Sequence, residues 1–398
     1  MIQKTAEGNS EPINFEPIGN VLGDHYRGRD VMVTGHTGFK GSWLCHWLKR
    51  MGARVHGIAL DPNPGQTLFD SLDLGNRIQS DHRFDIRDRR RVADTIGGIQ
   101  PNDIFHLAAQ PLVRASYDSP FETFSVNVMG TASVLDAAIE QNNPTNVVVV
   151  TTDKCYENRE WEASYRETDA MGGHDPYSAS KGCAELVTSS YRRSFTNPSG
   201  SVRIASARAG NVIGGGDWAV DRIVPDVFRA VSRGEAVTIR NRTSTRPWQH
   251  VLEPLGGYLW LAAMLSGVDA TSGSSPPPAQ LCDGFNFGPS LDSNQTVYDL
   301  VCELSRHAPI HVRDASDPAE RHEAGKLNLA IDRARHWLGW MPVWNFETTV
   351  KHTADFYVRA ADGESVIDIA TDQLNRYMKD AVKVGPAWSK PITRSIAA

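Results

Sequence analysis

The sequence predicts an α/β protein: a doubly wound parallel sheet followed by a smaller C-terminal α/β lobe. Three observations carry this prediction. Short apolar, β-rich runs alternate with longer helical stretches from about residue 29 to residue 210. The runs are apolar throughout rather than at every second position, the pattern of strands covered on both faces. The 398 residues exceed what one core usually serves, which calls for a second lobe.

Residues 1–28 are polar, with scattered acids and prolines. They have no apolar core, do not read as a signal peptide, and are expected to form a loosely ordered N-terminal extension. Strands follow at Val31–Thr34, Arg54–Leu60, Asp103–Leu107, Asn146–Thr151 and Val202–Arg208, each an apolar, β-rich run. Helices are expected between them at Lys40–Met51, Arg89–Gly97, Phe121–Gln141 and Tyr177–Phe195. The third of these carries an apolar stripe of Phe124, Val128, Leu135, Ala138 and Ile139. The basic run from Arg87 to Arg91, with acids beside it, reads as a solvated helix start.

After Asn211 the character changes. Gly214-Gly-Gly-Asp-Trp218 reads as a mobile loop, Ile223–Arg233 as a helix, and His250–Leu265 as an apolar helix returning to the first lobe. Residues 273–280 form a surface loop. Phe285-Asn-Phe-Gly288 and the chain past Arg321 are assigned to the smaller lobe. The expected boundaries are therefore an extension at 1–28 and a first domain at 29–212 with a return segment at 244–272. The second lobe comprises 213–243 and 281–385, and 386–398 is a tail.

Composition narrows the classes of function. The chain is 40% hydrophobic and 22% charged, with a net charge of -6. It therefore lacks the basic excess of a nucleic-acid binder. Five cysteines without paired short spacing argue against a disulfide scaffold or a metal site and suit a reducing cytoplasm. No apolar run approaches ~18 residues, so no membrane helix is expected.

The first strand runs into Gly35-His-Thr-Gly38-Phe-Lys-Gly41. Glycines between a strand and a helix permit a tight turn and a close approach of backbone to a pyrophosphate at the helix N-terminus. This marks 29–212 as a Rossmann domain. Asp61 lies twenty residues past Gly41, where an acid bonds the ribose 2′-OH and repels a 2′-phosphate, so NAD is the expected cofactor. Lys40 opposes the helix dipole unless an anion is bound beside it. It and His36 are candidate phosphate contacts, with Phe39 in the same turn. Asp85 and Ile86 are candidates for the adenine, and Leu107, Ala108, Ala109 and Gln110, at a strand end, for the length of the cofactor.

Tyr177 and Lys181 stand four apart on one helix face. A free phenol is only ~0.1% ionised at neutral pH. A neighbouring ammonium favours the phenolate, and a shift of ~3 units, worth ~4 kcal/mol, makes it a usable base. Lys181 is therefore expected to depress the Tyr177 pKa.

The Gly35 loop, Leu107-Ala-Ala, Asn127 and Tyr177-x-x-x-Lys181 resemble the extended short-chain dehydrogenase/reductases. Longer strings resemble one group among them, the CDP-glucose 4,6-dehydratases. These are TGHTGFKGSW from 34, TTDKCYENREW from 151, DPYSASKGCAELV from 175, RAGNVIGGGDW from 208 and RPWQHVLEP from 246. The similarity spans roughly residues 29 to 345. It implies a lyase that keeps NAD bound, oxidises C4 of a nucleotide-linked glucose, eliminates water across C5 and C6, and returns the hydride at C6. The alternatives are a 4-epimerase or 4-reductase on the same kind of sugar, and a non-catalytic NAD-sensing protein.

The resemblance also implies roles. Tyr177 takes the 4-OH proton, Lys181 holds the nicotinamide ribose, Thr152 bonds the 4-oxygen, and Asn127 supports the active-site helix. Related dehydratases place Asp-Glu after this Thr, whereas here the pair is Asp153-Lys154. Asp153 is the expected acid and needs a raised pKa to hold its proton. Neighbours on an extended strand end point to opposite sides, so both residues are expected to face the sugar from different sides. Lys154 is either the C5 base or an ammonium stabilising the enolate, with Glu157 or Tyr177 handling the proton. For a CDP-sugar diphosphate, Arg222 and Arg246 are the candidate cations and Asn211 a further contact. Trp218 and Trp248 are candidates for the base pocket, and His322 and Glu323 for the nucleoside ribose. The helices Phe121–Gln141 and Tyr177–Phe195 resemble those forming a four-helix interface in a homodimer or homotetramer.

Overall fold

A computed structural model describes residues 20–390 apart from 63–64, 66, 197–200, 240–241, 270–275 and 315–325. Seven strands form one parallel sheet. They are β1 (Asp30–Thr34), β2 (Arg54–Ala59), β3 (Ser80–Arg83), β4 (Asp103–His106), β5 (Thr145–Val150), β6 (Val202–Ala209) and β7 (Gly284–Phe287). Their order across the sheet is β7-β6-β5-β4-β1-β2-β3. All six positions of β5 are buried, as a central strand covered on both faces requires. The strand order reverses between β1 and β4, where Val31 pairs with Val55 on one side and Asp103 on the other. An open α/β sheet places its ligand crevice at that switch point, beyond the carboxyl ends of the strands.

The helices follow from local signals. Pro176–Phe195 starts with proline in its first turn and Asp175 as N-cap, whose side chain accepts from the Ser178 amide at 2.9 Å. The expected helix Phe121–Gln141 is interrupted. Pro120–Phe124 is α-helical, Ser125–Met129 is a π-helical turn, and Gly130–Ile139 is α-helical again. The extra residue of such a turn re-aims its side chains, and here Asn127 is buried. The helix Leu252–Leu265 is buried at every position. Its sequence is apolar on every face apart from Glu253, which calls for such burial, and it packs on β5 and β6.

Two sheet strands lie where the sequence did not place them. β3 carries Ser, Asp, His and Arg, all partly exposed, because it is an edge strand paired only with β2. Phe285-Asn-Phe, assigned above to the smaller lobe, pairs in parallel with β6 as β7. The second lobe gathers around Val224, Val227, Phe228, Val237, Ile239, Trp248, Leu300, Val301 and Leu304. The helix Phe346–Ala361 bridges the lobes, since Phe356 packs in the main core while Val350, Ala354 and Tyr357 pack in the second.

Two expectations of looseness are corrected, and the start of the tail is docked on the core. Within the N-terminal extension, Val21–Tyr26 is a helix capped by Asn20. Leu22 and Tyr26 share one face of it and are fully buried, and the Tyr26 hydroxyl donates to the Leu259 carbonyl at 2.7 Å. Within the tail, Trp388 is fully buried and stacks on Tyr377. The Gly214–Trp218 stretch is packed: Trp43 Nε1 donates to the Gly215 carbonyl at 3.0 Å and Tyr357 to the Asp217 carbonyl at 2.6 Å. Glycine is needed at 215 because a Cβ there would lie 1.8 Å from Phe356.

Candidate active site

A cleft of about 1660 Å³ opens at the carboxyl ends of the strands, between the sheet and the second lobe. A site for one drug-sized ligand usually occupies roughly 300–1,000 Å³, so this cleft has room for a dinucleotide and a second nucleotide together. Gly35, Gly38, Phe39, Lys40, Gly41, Asp61, Asp85, Ile86, Leu107, Ala108 and Ala109 line it from the ends of the first four strands. Thr152, Asp153, Lys154, Tyr177 and Lys181 line it beyond β5, and Asn211, Trp218, Arg222, Arg246 and Trp248 from the second lobe.

The glycine turn is built for close approach. Gly35 has φ +75°, and a Cβ on it would lie 2.7 Å from the Ala108 amide nitrogen. A Cβ on Gly41 would lie 2.2 Å from the Gly35 carbonyl oxygen. Bare backbone is thus presented at the start of the helix Phe39–Arg50. Burial pushes the Lys40 amine down to about 8, with Arg222 adding to the effect and Asp153 opposing it. Lys40 therefore sits within the field of both lobes.

Three candidates do not reach the cleft. His36 is fully buried, its Nε2 2.9 Å from Asp81 Oδ1 and its ring so close under Gly57 that a Cβ there would meet it at 2.5 Å. Burial lowers its pKa, and its side chain does not line the cleft. Gln110 forms a brace with Asn127, the residue expected to support the active-site helix. Asn127 Oδ1 accepts from the Gln110 amide at 2.8 Å, and its Nδ2 donates to Ser180 Oγ at 2.8 Å. The loop after β4 is thereby tied to the helix carrying Tyr177 and Lys181. Asp61 is exposed at the cleft rim beyond β2, and Asp85 is held by Arg87 at 2.6 Å.

Beyond β5 the chain turns rather than staying extended. Asp153–Cys155 is a 3₁₀ turn, with Thr152 as N-cap accepting from the Lys154 amide. Thr152 Oγ1 donates to Asp153 Oδ1 at 2.9 Å. Asp153 is 1% exposed, and its Oδ2 has no hydrogen-bond partner among the described residues. Burial raises its pKa, against the pull of Lys154, Thr152, Arg246 and Lys40. Lys154 is partly buried on the cleft wall. Glu157 is exposed, lies against Gly172 and does not line the cleft.

The Tyr177 phenol departs from expectation. Burial pushes its pKa up to about 12, a hydrogen bond with Thr152 opposes this, and Asp153 reinforces it. Lys181 Nζ donates to the Val150 carbonyl at 3.3 Å, against the strand end, and the net shift of the phenol is upward. Burial pushes Lys181 itself down to about 8. Spacing along a helix fixed the shared face; the withdrawal of both groups from water is a tertiary effect that spacing does not contain.

From the second lobe, Arg246 is buried on the strand Thr245–Pro247, and Arg222 Nη1 pairs with Asp217 Oδ2 at 2.8 Å. Asp217, which holds Arg222 in place, escaped the sequence reading. Trp248 commits its indole N–H to the Gln295 carbonyl at 3.0 Å, and Trp218 packs edge-on against Tyr357. His322 and Glu323 lie outside the described residues. Among the described residues no cluster of His, Cys, Asp or Glu is placed to hold a metal ion, and no helix is long and apolar enough to cross a membrane.

Residues 32–353 match the model of the GDP-mannose 4,6 dehydratase family. The chain belongs to that family. It is 45% identical over 361 residues to a CDP-glucose 4,6-dehydratase of Salmonella typhimurium, covering 89% of this chain and 97% of that protein. It is 25% identical to the low-salt glycan biosynthesis protein Agl12 of Haloferax volcanii, over 83% of this chain and 98% of that one. Two solved structures share the fold. A UDP-glucose 4-epimerase from Thermotoga maritima superposes with TM-score 0.70 at 20% identity, covering 83% of this chain and 99% of its own. The dTDP-glucose 4,6-dehydratase DesIV of Streptomyces venezuelae gives 0.69 at 22%, covering 84% and 98%. Membership of the dehydratase family accords with the Rossmann sheet and the glycine turn described above.

Proposed function

We propose that the protein is a CDP-glucose 4,6-dehydratase. It converts CDP-D-glucose to CDP-4-keto-6-deoxy-D-glucose with loss of water and internal recycling of NAD. The observation that carries this reading is Asp153: a buried carboxyl whose pKa is raised and whose Oδ2 is unpartnered, next to Thr152 and Tyr177. An epimerase or 4-reductase has no step that needs an acid there, whereas expulsion of a sugar hydroxyl as water does. The 45% identity across nearly the full length of the Salmonella relative supports the nucleotide.

The cleft fits NAD: the glycine turn exposes backbone where a pyrophosphate would rest, and Asp61 lines the rim, where an acid would bond a ribose 2′-OH. NAD bound there supplies an acceptor for the C4 hydride and its donor to C6, and its charged ring opposes the burial that raises Tyr177. Tyr177 removes the proton of the 4-OH as the C4–H bond breaks. Thr152 bonds the 4-oxygen and orients Asp153. With C4 a ketone, the C5 proton is acidic and passes to a base, for which Lys154 is the side chain on the cleft wall. Asp153 protonates the 6-hydroxyl as the C6–O bond breaks, and water leaves; the base that took the C5 proton returns it to C5 as C6 is reduced. Lys181 anchors the ribose of the nicotinamide. Lys40 lies at the cofactor pyrophosphate, while Arg222 and Arg246 meet the diphosphate of the sugar nucleotide. Asn211, Trp218 and Trp248 complete that subsite.

The assembly proposed is a homodimer or homotetramer, with Phe121, Met129 and Leu186 exposed on the helices that would meet. Five free cysteines support a cytoplasmic setting. The test is incubation with CDP-glucose alongside dTDP- and GDP-sugars. Loss of one water from CDP-glucose is the result expected; epimerised or unchanged sugar would overturn the reading.

A further inference from the structure

Beneath the cleft floor lies a charged pair that the steps above do not use. Glu185 and Arg208 are 3% and 4% exposed, and Arg208 Nη2 meets Glu185 Oε2 at 2.9 Å. A buried ion pair is weak evidence for stability, since apolar replacements of similar volume often do as well. Its connections point elsewhere.

Glu185 stands one helical turn after Lys181 on Pro176–Phe195, on the same face. The two side chains grip successive residues at the end of β5. Lys181 Nζ donates to the Val150 carbonyl at 3.3 Å, and Thr151 Oγ1 donates to Glu185 Oε1 at 2.5 Å. The next residue is Thr152. The other oxygen of Glu185 accepts from Ser206 Oγ at 2.8 Å as well as from Arg208, both on β6. Arg208 continues to the Tyr156 hydroxyl at 2.7 Å, just past the 3₁₀ turn that begins with Asp153. Two residues beyond Arg208, Gly210 faces the free Oδ2 of Asp153.

We infer that Glu185 is a positioning residue for the dehydration. Through Thr151, Ser206 and Arg208 it fixes Thr152, Asp153 and Lys181 relative to one another, and it keeps a negative charge one turn from the Lys181 ammonium. This rests on the proposed roles of Tyr177 and Lys181.

The charges around Lys181 set the sign of the effect. Glu185 faces it from its own helix, Cys155 from the 3₁₀ turn, His106 from β4 and Lys40 from the helix Phe39–Arg50. Burial keeps Cys155 and His106 neutral at pH 7. Glu185 itself is faced by Arg208, Arg192 and Cys155. Removing its charge leaves Lys181 facing the Lys40 amine with no anion beside it, so Lys181 loses its proton at lower pH.

Three variants test this, with Tyr177→Phe as control. Glu185→Gln is expected to lower kcat about tenfold or more, with KM for CDP-glucose changed less than about threefold. Its alkaline limb of kcat moves down by about one pH unit. Thr151→Val removes one hydroxyl from a volume-matched side chain and is expected to lower kcat about threefold with the limb unmoved. The double variant Glu185→Leu/Arg208→Met removes the pair without stranding a charge, and a folded protein with depressed kcat is expected. Wild-type kcat and an unmoved limb in Glu185→Gln would overturn the inference; if that variant does not fold, wild-type kcat in the double variant would do so. Full water loss by Tyr177→Phe would instead sink the proposed roles at the site itself.

Discussion

Thr152 donates its hydroxyl proton to one oxygen of Asp153 at 2.9 Å, and the other oxygen of that carboxyl faces Gly210 without a partner. The hydroxyl therefore decides which oxygen accepts and which is left to carry a proton. Burial, the largest influence on this carboxyl, favours its protonated form. Asp153→Asn preserves the shape and removes the acid. Oxidised sugar and reduced nicotinamide are expected to accumulate, while water loss slows by about 10²–10⁴-fold. Water loss at full rate would remove Asp153 from the role.

Tyr177 bears on an earlier step. In Tyr177→Phe no group takes the 4-OH proton, so neither reduced nicotinamide nor dehydrated sugar forms. A fall of about 10³-fold or more is expected, within the range for loss of a positioned base. Absorbance of the cofactor in a single turnover separates this outcome from that of Asp153→Asn.

Lys154 is the neighbour of Asp153 on the cleft wall, and Glu157 does not line the cleft. Lys154→Met is expected to abolish exchange of the C5 hydrogen with solvent deuterium while leaving C4 oxidation measurable. Exchange at the parent rate would assign the base elsewhere.

The cofactor turn makes a steric prediction. In Gly41→Ala the new methyl would sit 2.2 Å from the Gly35 carbonyl oxygen and 2.7 Å from the His36 Cα. Backbone must shift in the loop proposed to hold the pyrophosphate. Titration with NAD is expected to show affinity lowered by about tenfold or more, the equivalent of ~1.4 kcal/mol, with circular dichroism little changed.

Stability should depend on pH through Glu253. Its carboxyl is fully buried and accepts from the Val343 and Trp344 amides and the Tyr377 hydroxyl. Burial outweighs those bonds and raises its pKa from the usual 4.5 to about 7. Between those values the folded protein holds a proton that the unfolded chain has released, so stability falls as pH rises through the window. The loss amounts to about 3 kcal/mol. Denaturant midpoints measured across pH 4.5 to 7 should show this slope, and Glu253→Gln should flatten it.

Much of this was legible in the sequence because it depends on local pattern. The five apolar runs became β1, β2, β4, β5 and β6, and Ile223–Arg233 is helical over the expected residues. β3 was missed because a polar edge strand shows no apolar run. β7 was misplaced because its pairing with β6 spans a long insertion. At the site, the glycine turn and the Tyr177–Lys181 face follow from spacing. The burial of His36, the partner chosen by Lys181 and the rise of the Tyr177 pKa do not. Each depends on which groups the folded chain removes from water, and that is decided by residues distant in sequence.

Because β7 is laid down only after the chain has built part of the second lobe, the sheet stays unfinished until residue 287. A fragment ending near 212 would leave the β6 border as a bare rail of amides and carbonyls, an invitation to pair with neighbouring molecules. The helix Leu252–Leu265, buried at every position, would be missing too. Neither half is a module to be borrowed by itself; the nucleotide fold is closed by sequence that comes after the lobe meant to hold the sugar.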